Sequence, residues 1–249
     1  MLVTNDDGIR AEGLEALVDS LEKLGTVIVV APEQEQSASS HAITLDKPLR
    51  ISEYGDNRFG VSGTPTDCVL LAIHGILETK PDLLVAGINH GPNMGEDITY
   101  SGTVAAAIEG SILQIPAIAV SIASWDPVSF ESAALVSSYL ASQLLSREVP
   151  SNTLWNVNVP PLSREEIRGI KVTKLGSRVY NDIIIRKKDP RGKDYFWIGG
   201  GDPGWSTERN TDFAAISDGY ISVTPLRLDL TDYKSIVELK GWNLEWKPE

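Results

Sequence analysis

Short uninterrupted apolar runs alternate with stretches of helical period in the first half of this chain, and that alternation leaves few folds open. Leu2-Val3-Thr4, Val27 to Ala31, Leu83 to Ala86 and Ala117 to Ile122 are apolar at nearly every position. A strand with one wet face alternates; a strand without alternation has both faces covered. Between these runs, Leu14, Leu17, Val18, Leu21 and Leu24 fall on one helical face before Gly25. Val69, Leu70, Ile73, Ile76 and Leu77 form a second stripe after Thr64-Pro65-Thr66-Asp67, whose residue types start helices. A third runs through Val104, Ala107, Ile108 and Ile112 from Ser101-Gly102-Thr103 to Pro116, and a fourth carries Ala133, Val136, Leu140 and Leu144. Buried strands between amphipathic helices mean an α/β fold, with a mostly parallel sheet covered on both faces.

The second half changes character near residue 150. Leu154 to Val159, Ile170 to Thr173 and Tyr220 to Thr224 read as strands. Val179 to Ile198 reads as a hairpin turning at Asp189-Pro190-Arg191-Gly192, and Asp232 to Trp242 as a short terminal helix. We therefore expect one domain over 1–249, with a core over 1–150 and an appended region over 151–249. The hairpin and terminal helix would serve as an oligomerisation arm.

Composition excludes several classes. A chain of 249 residues that is 42% hydrophobic builds a sizeable core. Its net charge of −12 argues against a nucleic-acid polymer or an anionic membrane as partner. The single cysteine, Cys68, allows no internal disulfide and no thiolate cluster, and it is expected to be buried. A strand beginning at Leu2 leaves no room for a signal peptide, and no apolar run reaches membrane-spanning length. A soluble, cytoplasmic protein is expected.

The chemistry concentrates at the strand ends. Asn5-Asp6-Asp7-Gly8 follows the first strand directly. Two adjacent carboxylates repel, and one pKa rises, unless a positive charge shares the site. In open α/β sheets the ligand crevice lies beyond the carboxyl ends of the strands. Two more loops should open on that rim: Ala31 to His41 after the second strand, and Gly87 to Asp97 after the third. Asp6, Asp7, Ser37 and Asn89 would then offer one ion only oxygen ligands. That donor set suits one divalent Mg²⁺ or Mn²⁺ per subunit. Taken singly, Ser37 and Asn89 also read as ordinary turn residues.

A phosphate site is a separate inference. Ser101, Gly102 and Thr103 open a helix, where free N–H groups and the helix dipole attract anions. Ordinary N-capping is the alternative for the two hydroxyls. The glycines at 87, 91, 95 and 102 are spaced too irregularly for a dinucleotide fingerprint, and no Walker lysine motif is present. A cation beside a phosphate cradle points to phosphoryl chemistry rather than hydride transfer.

Taken together, these blocks resemble a known family. Asn5-Asp6-Asp7-Gly8, Val30-Ala31-Pro32 with Ser37 and Ser40-His41, Gly63 to Cys68, Gly87 to Asn93, and Tyr100 to Val104 are similar to the signature blocks of the survival protein E (SurE) family. Gly219 to Leu226 extends the resemblance almost to the end of the chain. The resemblance implies a Rossmann-like three-layer fold and a metal-dependent 5'/3'-nucleotidase acting on nucleoside monophosphates. It implies Asp6, Asp7, Ser37 and Asn89 as metal ligands, and dimers or tetramers with exchanged C-terminal elements. The segment from Gly199 to Asn210 carries no part of it.

The mechanism expected on this basis is in-line attack by a metal-activated water. Asp6 or Asp7 would orient that water or take its proton, and donors near Ser101 to Thr103 would hold the phosphoryl oxygens. Asn93 reads equally as a phosphate contact or a turn residue. His41 and His90 flank the site and read more readily as structural hydrogen bonders than as the acid for the leaving group. His74 is expected to pack. Arg186-Lys187-Lys188 reads as a solvated hairpin face, with a rim that attracts anionic substrates or longer phosphate chains as the alternative, and Trp197, Trp205, Trp242 and Trp246 read as core or subunit-interface residues more readily than as platforms for a base. Rival readings are a phosphatase with an aspartyl-phosphate intermediate, a non-catalytic phospho-receiver that binds Mg²⁺, and a stress-interaction module.

Overall fold

Strand β1 (Leu2–Thr4) lies inside a nine-stranded sheet, flanked by β2 (Ile28–Pro32) and β5 (Leu84–His90), both parallel to it. The computed structural model describes residues 1–126, 128–179, 184–198, 204–205, 208–242 and 244–246. Between β2 and β5 in sequence come β3 (Ile51–Gly55) and β4 (Arg58–Val61), an antiparallel pair whose second member docks parallel to β2. On the other side, β6 (Ala117–Ile122) and β7 (Leu154–Val159) continue the parallel run. Beyond β7 lie β13 (Ile221–Pro225), antiparallel to it, and β8 (Ile170–Val172), parallel to β13. The sheet order is β3-β4-β2-β1-β5-β6-β7-β13-β8. Two small sheets stand apart: β9 (Arg178–Val179) with β12 (Gly204–Trp205), and the hairpin of β10 (Ile184–Lys188) and β11 (Asp194–Ile198).

Two hydrophobic layers cover the sheet. On one face, α1 (Glu12–Leu21) and α4 (Glu131–Leu145) press Leu14, Leu17, Leu21, Leu140 and Leu144 onto Val3, Val29, Val85, Ile118 and Val157. On the other, α2 (Pro65–Leu71) and α3 (Gly102–Ile112) press Val69 and Val104 onto Leu2, Val30, Leu84 and Ala117. Adjacent strand residues such as Leu2 and Val3 therefore serve opposite cores, which is why these strands show no polar alternation. Cys68 is buried in the α2–α3 layer.

Helix starts follow their local chemistry. At α2 the Thr64 hydroxyl accepts the Asp67 N–H while the Asp67 carboxylate accepts the Thr64 N–H at 2.9 Å, with Pro65 at the first helical position. Ser101 caps α3, accepting the Val104 N–H at 3.1 Å. His74 departs from expectation: α2 runs into a π-helical turn over Ala72–Ile76, which shifts the period and leaves that side chain exposed.

The β3–β4 hairpin is absent from the sequence reading. Its strands are short and its first strand is exposed throughout, so neither carries an apolar signal. Its turn, with Gly55 and Asn57 at φ of 138° and 56°, is a recognisable Gly-Asp-Asn signal. Helix α5 (Asp212–Ser217) is likewise missed, being too short for a period. The hairpin expected over 179–198 forms between β10 and β11 about the turn at 189–192, with 180–183 outside the described residues. Arg186 ion-pairs with Asp194 across it, on a solvated face as expected.

One irregularity positions the site. Ala86 pairs with Ala119 and Asn89 with Ser121, so β5 spends one more residue than β6 over that span. The extra residue resets the alternation. Ala86 accordingly packs in the α2–α3 layer and Ile88 in the α1–α4 layer, although they are two apart. Gly87 is required there: at φ 141° a Cβ would lie 2.4 Å from the Val120 carbonyl oxygen.

Close packing continues under the bulge, where Gly13 of α1 faces Ile88. A Cβ on Gly13 would fall 2.2 Å from the Ile88 carbonyl oxygen. Gly13→Ala should therefore destabilise the protein by about 1–3 kcal/mol in urea denaturation, although alanine is the better helix former. Gly75→Ala, where a Cβ meets nothing within 4 Å, should be neutral or mildly stabilising in the same assay.

Candidate metal and phosphate site

The loops after β1, β2 and β5 meet above the sheet because these strands are neighbours and parallel. Backbone hydrogen bonds join them. The Gln36 N–H donates to the Asp6 carbonyl at 2.7 Å, and Ile9 N–H to the Pro32 carbonyl at 2.7 Å. The Ser40 N–H reaches the Tyr100 carbonyl at 3.1 Å, which fixes the second loop against the start of α3. The His90 N–H donates to Asp7 Oδ2 at 3.3 Å.

Asp6 is buried at 4% exposure, with the Thr103 hydroxyl donating to its Oδ1. Burial pushes its carboxyl pKa up; the Thr103 hydroxyl and the peptide N–H groups of Thr103 and Gly102 pull the other way. The amino end of α3 is thus turned onto Asp6 itself. Gly102 permits this: a Cβ there would lie 2.9 Å from Asp6 Cβ and 2.8 Å from Ser39 Oγ. Asp7 is less deeply buried, and its pKa is pushed up to about 6, first by burial and then by the charge of Asp6. Glu35 adds to that rise and the His90 N–H opposes it. Among the described residues neither Asp6 nor Asp7 pairs with a lysine, arginine or histidine side chain.

The neutral oxygens are close by in the same three loops. Asn89 is buried, and its Nδ2 donates to the Gly91 carbonyl at 2.7 Å, which leaves Oδ1 as the atom of that side chain a cation would take. The Ser37 hydroxyl is exposed and donates to Glu35 at 2.7 Å. The Ser39 hydroxyl, buried against Gly102, has no hydrogen-bond partner among the described residues. No group of three His, Cys, Asp or Glu side chains clusters as a metal site among the described residues. The available donors are two crowded carboxylates plus neutral oxygens, a set that fits a hard divalent cation which keeps several waters.

Not every predicted residue faces the acids through its side chain. Asn93 Nδ2 donates to Ser121 Oγ at 2.8 Å, and its N–H to Asn158 Oδ1 at 2.9 Å. Its carbonyl takes the amides of Asn156 and Asn158 at 2.8 and 2.9 Å. Asn93 is the centre of a buried amide network that pins the third loop to β6 and β7. Both histidine rings have protein partners: His41 Nε2 meets Glu109 at 2.8 Å, and His90 Nε2 meets the Asp126 carbonyl at 2.9 Å.

Sequence reasoning missed the supports of this site. Glu35, Ser39, Asn156 and Asn158 carry no motif. The usable signal was Asn-x-Asn inside an otherwise buried strand, since buried amides need partners. Asp212 was missed too. It is fully buried and accepts the N–H groups of Gly95, Gly176 and Phe213 at 2.8, 2.8 and 2.9 Å, joining the third loop to the second half of the chain.

The Asp7 shift gives a signed expectation. A carboxyl raised from 3.8 to about 6 binds more protons folded than unfolded between those values. Stability of the cation-free protein therefore falls as pH rises through that window. Asp7→Asn removes this penalty: in chelator near neutral pH its thermal midpoint should exceed wild type by about 2–6 °C, and the two should converge below the carboxylate range. Equal midpoints at neutral pH would refute the crowding.

Comparison with known proteins places this geometry in a family. The family model "Survival protein SurE" matches residues 1–182. A protein of Geotalea daltonii described as 5'-nucleotidase SurE is 50% identical over 245 residues, covering 98% of this chain and 99% of its own. One of Geobacter sulfurreducens with the same description is 51% identical, over 98% of this chain and 94% of its own. The crystal structure of a SurE protein from Aquifex aeolicus superposes with a TM-score of 0.87 at 46% identity, covering 97% of this chain and 98% of that one. With its strand-end acids, its bulged third loop and its capped α3 all inside the matched span, this chain belongs to the survival protein SurE family.

Proposed function

We propose that this chain is a metal-dependent phosphomonoesterase, a 5'-nucleotidase that hydrolyses nucleoside monophosphates to nucleoside and phosphate. The observation that carries the reading is the crowded pair Asp6 and Asp7, in an ion pair with no lysine, arginine or histidine side chain among the described residues, set against the amino end of α3. Relatives about 50% identical over nearly their full length carry that activity in their descriptions. Asp6, Asp7, Asn89 Oδ1 and Ser37 Oγ would hold the cation. Bound there, a divalent cation supplies positive charge against phosphoryl oxygens and acidifies water.

The chain's own groups do the rest. Thr103 locks one oxygen of Asp6, so that carboxylate presents a single orientation. Asp7, the more accessible acid, orients the attacking water and accepts its proton. The Ser39 hydroxyl, beside Asp6 and Gly102, and the proton of the Ser101 hydroxyl, whose oxygen accepts from Val104, would serve equatorial phosphoryl oxygens, which gain charge in the transition state. Asn93 contributes by fixing the loop that carries Asn89.

The arm supports self-association. Helix α6 (Tyr233–Gly241) buries none of its residues, and a nine-residue helix is not stable alone in water. Trp197 at 64% and Trp242 at 67% exposure are not core residues; the side chain of Trp205 lies outside the described residues. An apolar surface of this kind is covered by a second copy in a homodimer or homotetramer. We read 1–249 as one domain with this arm at its end. No helix among the described residues is long and apolar enough to cross a membrane, and a cytoplasmic setting suits the free Cys68.

Phosphate release from nucleoside 5'-monophosphates should be absent in chelator and restored by Mn²⁺ or Mg²⁺. Asp6→Asn and Asp7→Asn should each lower kcat by about 100-fold or more. Turnover that survives chelation, or an Asp7→Asn enzyme of full activity, would refute the proposal; metal binding with no turnover would favour a receiver or interaction module. Removing residues from 230 onward should lower the mass measured by light scattering.

A further inference from the structure

Trp125 stands on the rim of this site with most of its surface in water. It lies in the loop after β6, the strand beside β5, and it is 70% exposed. Its six-membered ring rests on Gly91: a Cβ there would fall 2.3, 2.6 and 2.8 Å from Cζ3, Cη2 and Cε3. That is the glycine whose carbonyl takes Asn89 Nδ2 at 2.7 Å, and whose N–H donates to the Ile122 carbonyl at 3.1 Å. The indole is therefore seated on the peptide that orients a proposed metal ligand. The loop beneath it is tied down. Ser124 N–H donates to the Ile122 carbonyl at 2.9 Å, Asp126 N–H to Ser124 Oγ at 3.1 Å, and His90 Nε2 meets the Asp126 carbonyl at 2.9 Å. The Cε3–Cζ3–Cη2 side of the ring lies on the Gly91 backbone, and most of the indole is exposed.

We infer that Trp125 is the stacking platform for the base of the nucleotide, a residue that sets specificity rather than a catalytic one. The inference rests on the nucleotidase reading of the neighbouring acids. An indole fixed beside a phosphate site, with most of its surface in water, offers a π-system that a purine or pyrimidine covers without any reading of its edge. Ser124, which precedes it in that loop, already accepts from the Asp126 N–H and donates to the Asp126 carbonyl at 3.3 Å. Stacking of this kind is tolerant of base identity, because every base has a π-face. The platform thus separates nucleotides from phosphomonoesters that lack a base, and discriminates little among bases.

Steady-state kinetics with the full-length, Mn²⁺-loaded enzyme tests this. Trp125→Ala should raise KM for purine and pyrimidine 5'-monophosphates by about 10-fold with little change in kcat. KM for ribose 5-phosphate should stay the same, and Trp125→Phe should restore most of the loss. A nucleoside monophosphate should also quench wild-type indole fluorescence more than that of Trp125→Phe. Equal effects on ribose 5-phosphate and nucleotides, unchanged KM for all, or a lower oligomeric mass of Trp125→Ala would overturn the inference. Should the wild type hydrolyse no ester, the nucleotidase reading fails. Trp125-dependent quenching would then still uphold the stacking seat, and its absence would overturn that as well.

Discussion

Two carboxylates held side by side, one of them almost out of water, are the constraint around which this molecule is arranged. Asp6 and Asp7 follow β1 directly, and the sheet denies them solvent in which to separate. Relief comes from partial charges: the start of α3 faces Asp6, and the His90 peptide faces Asp7. Both carboxyls are nevertheless pushed up, Asp6 by desolvation and Asp7 by desolvation and then the charge of Asp6, so these dipoles leave the buried charge undercompensated. A site with that deficit favours a dication and, through it, an anionic ester that the protein's net charge of −12 would otherwise repel.

The supports around the acids show how precision is achieved without charge. Gly102 lets α3 approach Asp6, and Gly87 lets β5 bulge, each because a side chain would strike a neighbour. The amide network of Asn93, Asn156 and Asn158 then holds the third loop by neutral hydrogen bonds. Asp212 ties the same loop to the α5 region through three peptide N–H groups. Loop geometry at the site therefore depends on residues from 87 to 213, and the second half of the chain is part of the site's scaffold.

Much of the fold was legible, and for a physical reason. Strands buried on both faces must be apolar throughout, and helices covering them must show a stripe, so the core elements wrote themselves into local composition. Edge elements did not. The exposed β3 strand and the six-residue α5 lack burial to enforce a pattern. The tryptophans expected in a core or an interface are exposed in the single chain wherever their side chains are described. Periodicity reports that a residue is apolar and leaves open which copy of the chain covers it.

The sequence by itself determined the layered α/β scaffold, the acids at its first strand end and the capped start of α3, because each rests on contacts between near neighbours in the chain. Only the tertiary structure decided that α3 turns onto Asp6, that Asn93 serves a buried network, and that Trp125 lies on Gly91. Each of those pairings joins residues more than thirty positions apart, or depends on a one-residue bulge that resets which face a side chain takes. Chain order carries no record of such meetings; packing of the strands creates them.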